Sequence, residues 1–185
     1  MRERGVGKDM VSIGALIPIV DLGRWKAKWI IEKFVGDFKS REEAIEKGAE
    51  LLEKLEIEGN LLLNEGINAL WTLACGGAET AFNNANSYIG VGDSSTAADA
   101  TQTGLQATTN KLYKAMDTGY PTYGTAQKAT WRSTFGSADA NFAWNEITVA
   151  NGNSDAAKNL NRKVQSMGTK ASGTTWVATL EITLS

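Results

Sequence analysis

Histidine is absent from the 185 residues, and Cys75 is the one cysteine. The first absence removes Ser-His-Asp and Cys-His catalysis and every histidine-ligated metal site. The second removes any disulfide within the chain and any Cys/His zinc cluster. Charge of one sign is also missing: 19 Lys and Arg stand against 21 Asp and Glu, a formal net charge of −2. Without an excess of cations there are no counterions to release, so neither nucleic acid nor an anionic membrane is an expected partner. The longest apolar run, Met10 to Val20, is too short to cross a bilayer. Arg2, Arg4 and Lys8 precede it as in a secretory signal, but Asp21-Leu22-Gly23-Arg24 follows where a small-x-small cleavage site belongs.

What is present divides the chain. Residues 1–59 carry 11 Lys/Arg and 12 Asp/Glu, whereas the remaining 126 residues carry 8 and 9. The first part reads as an apolar arm and amphipathic helices. Gly14 and Pro18 interrupt a helix within Met10–Val20 and leave the run extended, suited to packing on a core or on another subunit. Asp21 can cap a helix through about Val35, on which Trp25 and Trp29, and then Ile30 and Phe34, fall four residues apart. Ser40-Arg41-Glu42-Glu43 is a capping box, and the spacing predicts a second helix from there through Leu55 with Glu43–Lys47 and Glu50–Lys54 pairs. Asn60 opens a third, ended by Gly76-Gly77, whose Leu63, Ile67, Leu70, Trp71 and Ala74 share a face.

The stretch Tyr88 to Leu105, YIGVGDSSTAADATQTGL, marks the change to strands. Beyond it, apolar residues alternate with Thr, Ser, Asn and Lys. Lys111–Thr118 reads as a strand closed by the Gly119-Tyr120-Pro121 turn. Lys128–Gly136 places Ala129, Trp131, Ser133 and Phe135 on one face. Phe142 and Trp144 fall out of phase with Ile147 and Val149, which a bulge near Asn145-Glu146 would reconcile. Leu160–Met167 and Trp176–Leu184 give two more strands. The expected fold is α+β: an antiparallel β-sandwich or barrel, jelly-roll-like, preceded by about three N-terminal helices and an apolar arm, with residues 1–59 holding the arm and helices and residues 60–185 a helix plus the β-sandwich.

Sites are few. Gly90-Val91-Gly92-Asp93 imitates a phosphate loop but lacks the third glycine and the Gly-Lys-Ser/Thr. Asp93, Ser95 and Asp99 lack the spacing of a calcium loop and read as turn residues. Asp117, Asp139, Glu146 and Glu181 show no paired arrangement of a glycosidase. No catalytic residue, cofactor or metal ligand is assigned, and the chain is not expected to be an enzyme.

Several segments together carry a resemblance: Asn60 to Trp71, Tyr88 to Leu105, Gly119 to Pro121, Phe135 to Gly152 and Trp176 to Leu184. They resemble a group of tailed-bacteriophage virion proteins that share an N-LL-NEGI opening, a YIGVGDS-TAA-ATQT-L stretch, a GYP turn, an F-GSADANFAWNE-TVANG segment and a final W-x-x-x-L-x-I-x-L strand. The resemblance covers residues 60–185, about two thirds of the chain. It implies a virion structural protein on the capsid exterior, assembled in the host cytoplasm, in the manner of a capsid decoration (auxiliary head) protein. Its partners would be the major capsid protein and copies of itself, as a homotrimer. Partner contact is expected from Val11, Ile13, Leu16, Ile17, Ile19, Trp25 and Trp29. A tail, baseplate or fibre-attachment module is the alternative, and a carbohydrate-binding module using Tyr120, Tyr123, Trp131 and Trp144 a further one.

Overall fold

The computed structural model describes residues 24–185. Val11, Ile13, Leu16, Ile17, Ile19 and the cap at Asp21 therefore lie outside the described residues. The elements, in order, are β1 (Trp25–Val35), α1 (Arg41–Glu46), β2 (Leu51–Glu58), β3 (Leu61–Leu62), α2 (Asn64–Ala74), β4 (Tyr88–Gly92), β5 (Lys111–Ala115), β6 (Thr122–Thr125), β7 (Lys128–Phe135), β8 (Glu146–Ala150), β9 (Asn161–Val164) and β10 (Thr174–Leu184). They build two five-stranded antiparallel sheets, ordered β2-β1-β10-β7-β6 and β3-β9-β8-β4-β5.

The expected first helix is instead the longest ladder of the fold. Trp25 to Val35 pairs with β10 along its whole length, from Trp25 opposite Leu184 to Val35 opposite Thr174. A spacing of four is also an even number, so Trp25 and Trp29, which share a helix face, share a strand face equally well. Pairing with β10 on one side and β2 on the other settles the choice, because it buries Ala27, Trp29 and Ile31 in alternation. The second helix starts as expected: Ser40 Oγ accepts from Glu43 N at 3.1 Å, and the Lys47–Glu43 pair closes at 2.6 Å. It ends after Glu46. Gly48 turns the chain at φ +64°, and Leu51–Glu58 becomes the edge strand β2. There Lys54 pairs with Glu56 at 2.8 Å, not with Glu50. The described residues thus hold two helices rather than three.

The boundary drawn near Gly59 does not separate two bodies. β1 lies inside the first sheet, between β2 and β10, so residues 24–58 belong to the same core as residues 60–185. That core joins both sheets: Trp29, Ile31, Trp131, Phe135, Trp176, Leu180 and Ile182 from the first meet Ile89, Val91, Ile147 and Val149 from the second. Two sheets facing one apolar layer is a sandwich arrangement. Trp144 stands at the end of that layer, edge-on to Phe135 at 4.6 Å and to Trp176 at 4.9 Å, with its indole N–H on Ala140 O at 3.0 Å. It is held by a break in the chain, not by a bulged strand: β8 begins only at Glu146, and Ala143 bridges Thr169 in isolation. Likewise the strand expected over Leu160–Met167 is regular only from Asn161 to Val164.

Helix α2 begins later than expected and is rotated from the expected face: Leu61–Leu62 pair with β9 as β3, so the N-cap is Leu63, without a side-chain bond, and not Asn60. Leu63, Gly66 and Ala69 are buried and Leu73 partly so, while Trp71 is 67% exposed. The small residues decide the rotation. A Cβ on Gly66 would stand 2.5 Å from Leu160 Cα and 2.6 Å from Asn159 O, so the helix backbone lies directly on the chain leading into β9.

Candidate functional site

Three regions gather polar or exposed side chains. The first covers the outer face of the β2-β1-β10-β7-β6 sheet, where α1 is tied down. Arg41 makes a two-pronged contact with Glu32, Nε to Oε2 at 2.5 Å and Nη2 to Oε1 at 2.9 Å. Arg132 reaches Asp117 at 2.8 Å and Glu42 at 2.7 Å, and lies 4.2 Å over the Tyr120 ring. Burial pushes the Asp117 carboxyl above its ordinary pKa, against the opposing pull of Thr134 and Arg132. The hydrogen bond from Arg132 pulls Glu42 below its own.

The second region is the outer face of the other sheet. Glu146 and Arg162 form an ion pair at 2.7 Å with neither side chain exposed. The loop between β4 and β5 closes over it. Gln106 N and Ala107 N donate to the Glu146 carboxylate at 3.0 and 2.7 Å, and Arg162 Nη1 donates to Gln102 Oε1 at 2.9 Å. The glycines that imitated a phosphate loop serve this packing. A Cβ on Gly92 would meet Glu146 Oε1 at 2.5 Å, and one on Gly90 would meet the Tyr113 ring at 2.6 Å. Tyr113 in turn donates to Asp155 Oδ1 at 2.7 Å, and burial raises its phenol pKa. Asp93 accepts from Asn110 at 2.8 Å and Asp99 from Thr101 N at 2.8 Å, separate turn contacts rather than one oxygen cage. Among the described residues no three acidic or cysteine side chains gather as a metal site.

The four scattered carboxylates are each held by a cation: Asp117 by Arg132, Asp139 by Lys114 at 2.6 Å, Glu146 by Arg162 and Glu181 by Lys128 at 3.0 Å. Asp117 and Asp139 line one cavity together with Asp37. Cys75 is exposed at the end of α2.

The third region is a mainly apolar cleft of about 300 Å3 lined by Trp25, Leu70, Trp131, Leu160, Ile182 and Leu184, together with Gly124, Gln127, Lys128 and Ala129. Here β1 enters the sheet, and Arg24, just before it, exchanges backbone hydrogen bonds of 2.6 and 3.0 Å with Ser185. Trp71 and Leu184 are exposed at 67% and 52%.

No protein-family model, curated protein or solved structure matches the chain.

Of the residues expected to meet a partner, two are described, and the fold treats them differently. Trp29 is wholly buried opposite Leu180 and Ile57, so its surface is used inside the chain. Trp25 lines the cleft and is only partly buried. Of the aromatics considered for glycan contact, Trp131 and Trp144 are core residues and Tyr120 is covered by Arg132; Tyr123, on β6, is 74% exposed. Sequence reasoning missed the Glu146–Arg162 pair because its members lie sixteen residues apart on neighbouring strands. No described helix is long and apolar enough to cross a membrane.

Proposed function

We propose that this chain is a structural protein of a bacteriophage virion that binds and stabilises the outer shell as a capsid decoration protein. The observation that carries the reading is where the resembling segments fall. Tyr88–Leu105 supplies β4 and Gln102, which accepts from Arg162; Gly119–Pro121 is a turn; Phe135–Gly152 brings Trp144 and β8; Trp176–Leu184 falls in the central β10. Each places its distinctive residues in the framework, as expected where the product of the sequence is a durable scaffold. The carboxylates neutralised in pairs fit the same reading. So does the nested pairing of β1 with β10, β3 with β9 and β4 with β8, which accords with a rolled, jelly-roll-like sandwich.

Shell contact would come from the apolar arm, Val11, Ile13, Leu16, Ile17 and Ile19, with Trp25 at its root, and from a homotrimer that multiplies each weak contact. The test is to locate labelled copies on purified particles by electron microscopy. Labels spread over the head support the decoration role. Labels confined to the collar, baseplate or fibres, or absent from the particle, overturn it.

A further inference from the structure

We propose that the apolar cleft beside the root of β1 is the seat of the chain's own segment Met10–Val20, with Ile17 and Ile19 as the residues that enter it. The inference joins three observations. The cleft is lined almost wholly by hydrocarbon and indole: Trp25, Leu70, Trp131, Leu160, Ile182 and Leu184. Such a surface left open to water is unfavourable in proportion to its area. The described chain begins at its rim, where Arg24 pairs with Ser185 next to the Trp25–Leu184 pair. The residues just before it include the longest apolar run in the sequence, ending at Val20.

The distances permit the contact. Val20 is four residues from Arg24, a reach of up to about 13 Å at about 3.3 Å per residue. A tether this short holds the segment near the cleft at an effective concentration on the order of millimolar, which favours it over a free partner of similar chemistry. The local sequence suits the site. Pro18 steers Ile17 toward an extended conformation and brings no N–H that an apolar cleft would leave unpaired. In an extended chain Ile17 and Ile19 project to one side.

The seat is independent of the virion role, being a property of the purified chain. If both hold, docking on a shell requires the segment to leave its cleft.

The test uses the full chain with Cys75→Ser, so that introduced thiols are the only ones. One variant carries Ile17→Cys with Leu184→Cys, on the cleft side of β10. The control carries Ile17→Cys with Thr183→Cys, adjacent in sequence and equally within reach but on the opposite face of the sheet. Under mild oxidation the first pair is expected to close within a single chain at least tenfold faster than the second. Adding Leu70→Asp should bring the two rates together, with far-UV circular dichroism showing that the sheets persist. Equal rates without that change, or cross-links that join two chains instead of closing within one, would overturn the proposal. Absence of label from phage heads would leave it standing, so the two readings fail separately.

Discussion

Replacing Gly66 by Ala distinguishes a packing role from a helical one by the sign of the effect. In a solvent-facing helix the change would stabilise by about 1 kcal/mol, because Ala loses less backbone entropy and is the better helix former. At Gly66 the new Cβ would stand 2.5 Å from Leu160 Cα and Leu160 O, where ordinary contact begins near 3.4 Å, so helix and strand lead must part by about 0.9 Å. Neither side yields easily. Leu63 N donates to Leu160 O at 3.2 Å and Glu65 Oε1 accepts from Asn159 N at 2.8 Å, so parting stretches both bonds while loosening Leu63 and Ala69 in the core. Overpacking of this kind costs roughly 1–3 kcal/mol, with each weakened hydrogen bond adding about 0.5–1.5 kcal/mol. Set against the propensity gain, the expected net loss is about 2 kcal/mol, or about 4–8 °C in Tm for a chain of this size. Urea unfolding followed by tryptophan fluorescence measures it, with the slope of the transition unchanged. A Gly66→Ala protein more stable than the parent would refute the close contact and the rotation of α2 derived from it.

Other consequences follow from the ion pairs and the topology. Glu56, between Lys28 at 2.5 Å and Lys54 at 2.8 Å, is drawn down to about 2 by the hydrogen bonds from both lysines. Its folded pKa lies below the ordinary 4.5, so its contribution is complete above that value and disappears as pH falls through about 2. Carbon-detected NMR titration should place its midpoint near 2, moving toward 4.5 in high salt; a midpoint near 4.5 at low salt would show the pairs do not form. Glu146→Gln leaves the buried Arg162 without its counter-charge and should cost about 3–5 kcal/mol in chemical denaturation. Arg162→Met should cost less, because Gln106 N and Ala107 N still hold the carboxylate. A fragment starting at Asn60 lacks β1 and β2 and exposes the whole length of β10. It should show no cooperative unfolding transition; a native-like amide spectrum from that fragment would mean that the first sheet tolerates loss of an inner strand.

The legible parts of the fold were those where only one periodicity could fit. Trp176, Ala178, Leu180 and Ile182 recur at every second residue, which would scatter them around a helix but puts them on one strand face, and they form β10 as read. The capping box at Ser40 was legible because it depends on neighbours three residues apart. β1 was not, since both apolar pairs used to infer its helix, Trp25–Trp29 and Ile30–Phe34, are four residues apart and satisfy a strand as well, and β2 was not, since the Glu50–Lys54 spacing of four also fits either structure. Only the long-range partner β10 breaks the tie. The functional regions were less legible still. Gly90 and Gly92 imitated a phosphate loop in sequence, and what their missing side chains make room for, the Tyr113 ring and the Glu146 carboxylate, comes from other strands. The cleft combines residues from β1, α2, β7 and β10, which no local pattern connects.

The pairing of β1 with β10 also governs when the first sheet can exist. A ribosome delivers Trp25 long before Leu184, and until that last strand emerges β1 has only the edge strand β2 beside it, with Trp29 and Ile31 uncovered. β7 waits in the same way for the strand that will lie between it and β1. Closing the sheet means joining ends separated by almost the whole described chain, a high-contact-order step that is slow compared with local helix or hairpin formation. Nascent and prematurely terminated chains therefore share one hazard: a long apolar strand face with an open edge, suited to pairing with the wrong molecule. The charged side chains along β2, Glu53, Lys54, Glu56 and Glu58, stand on the other, outer edge of the sheet, which stays open after β10 has closed the first.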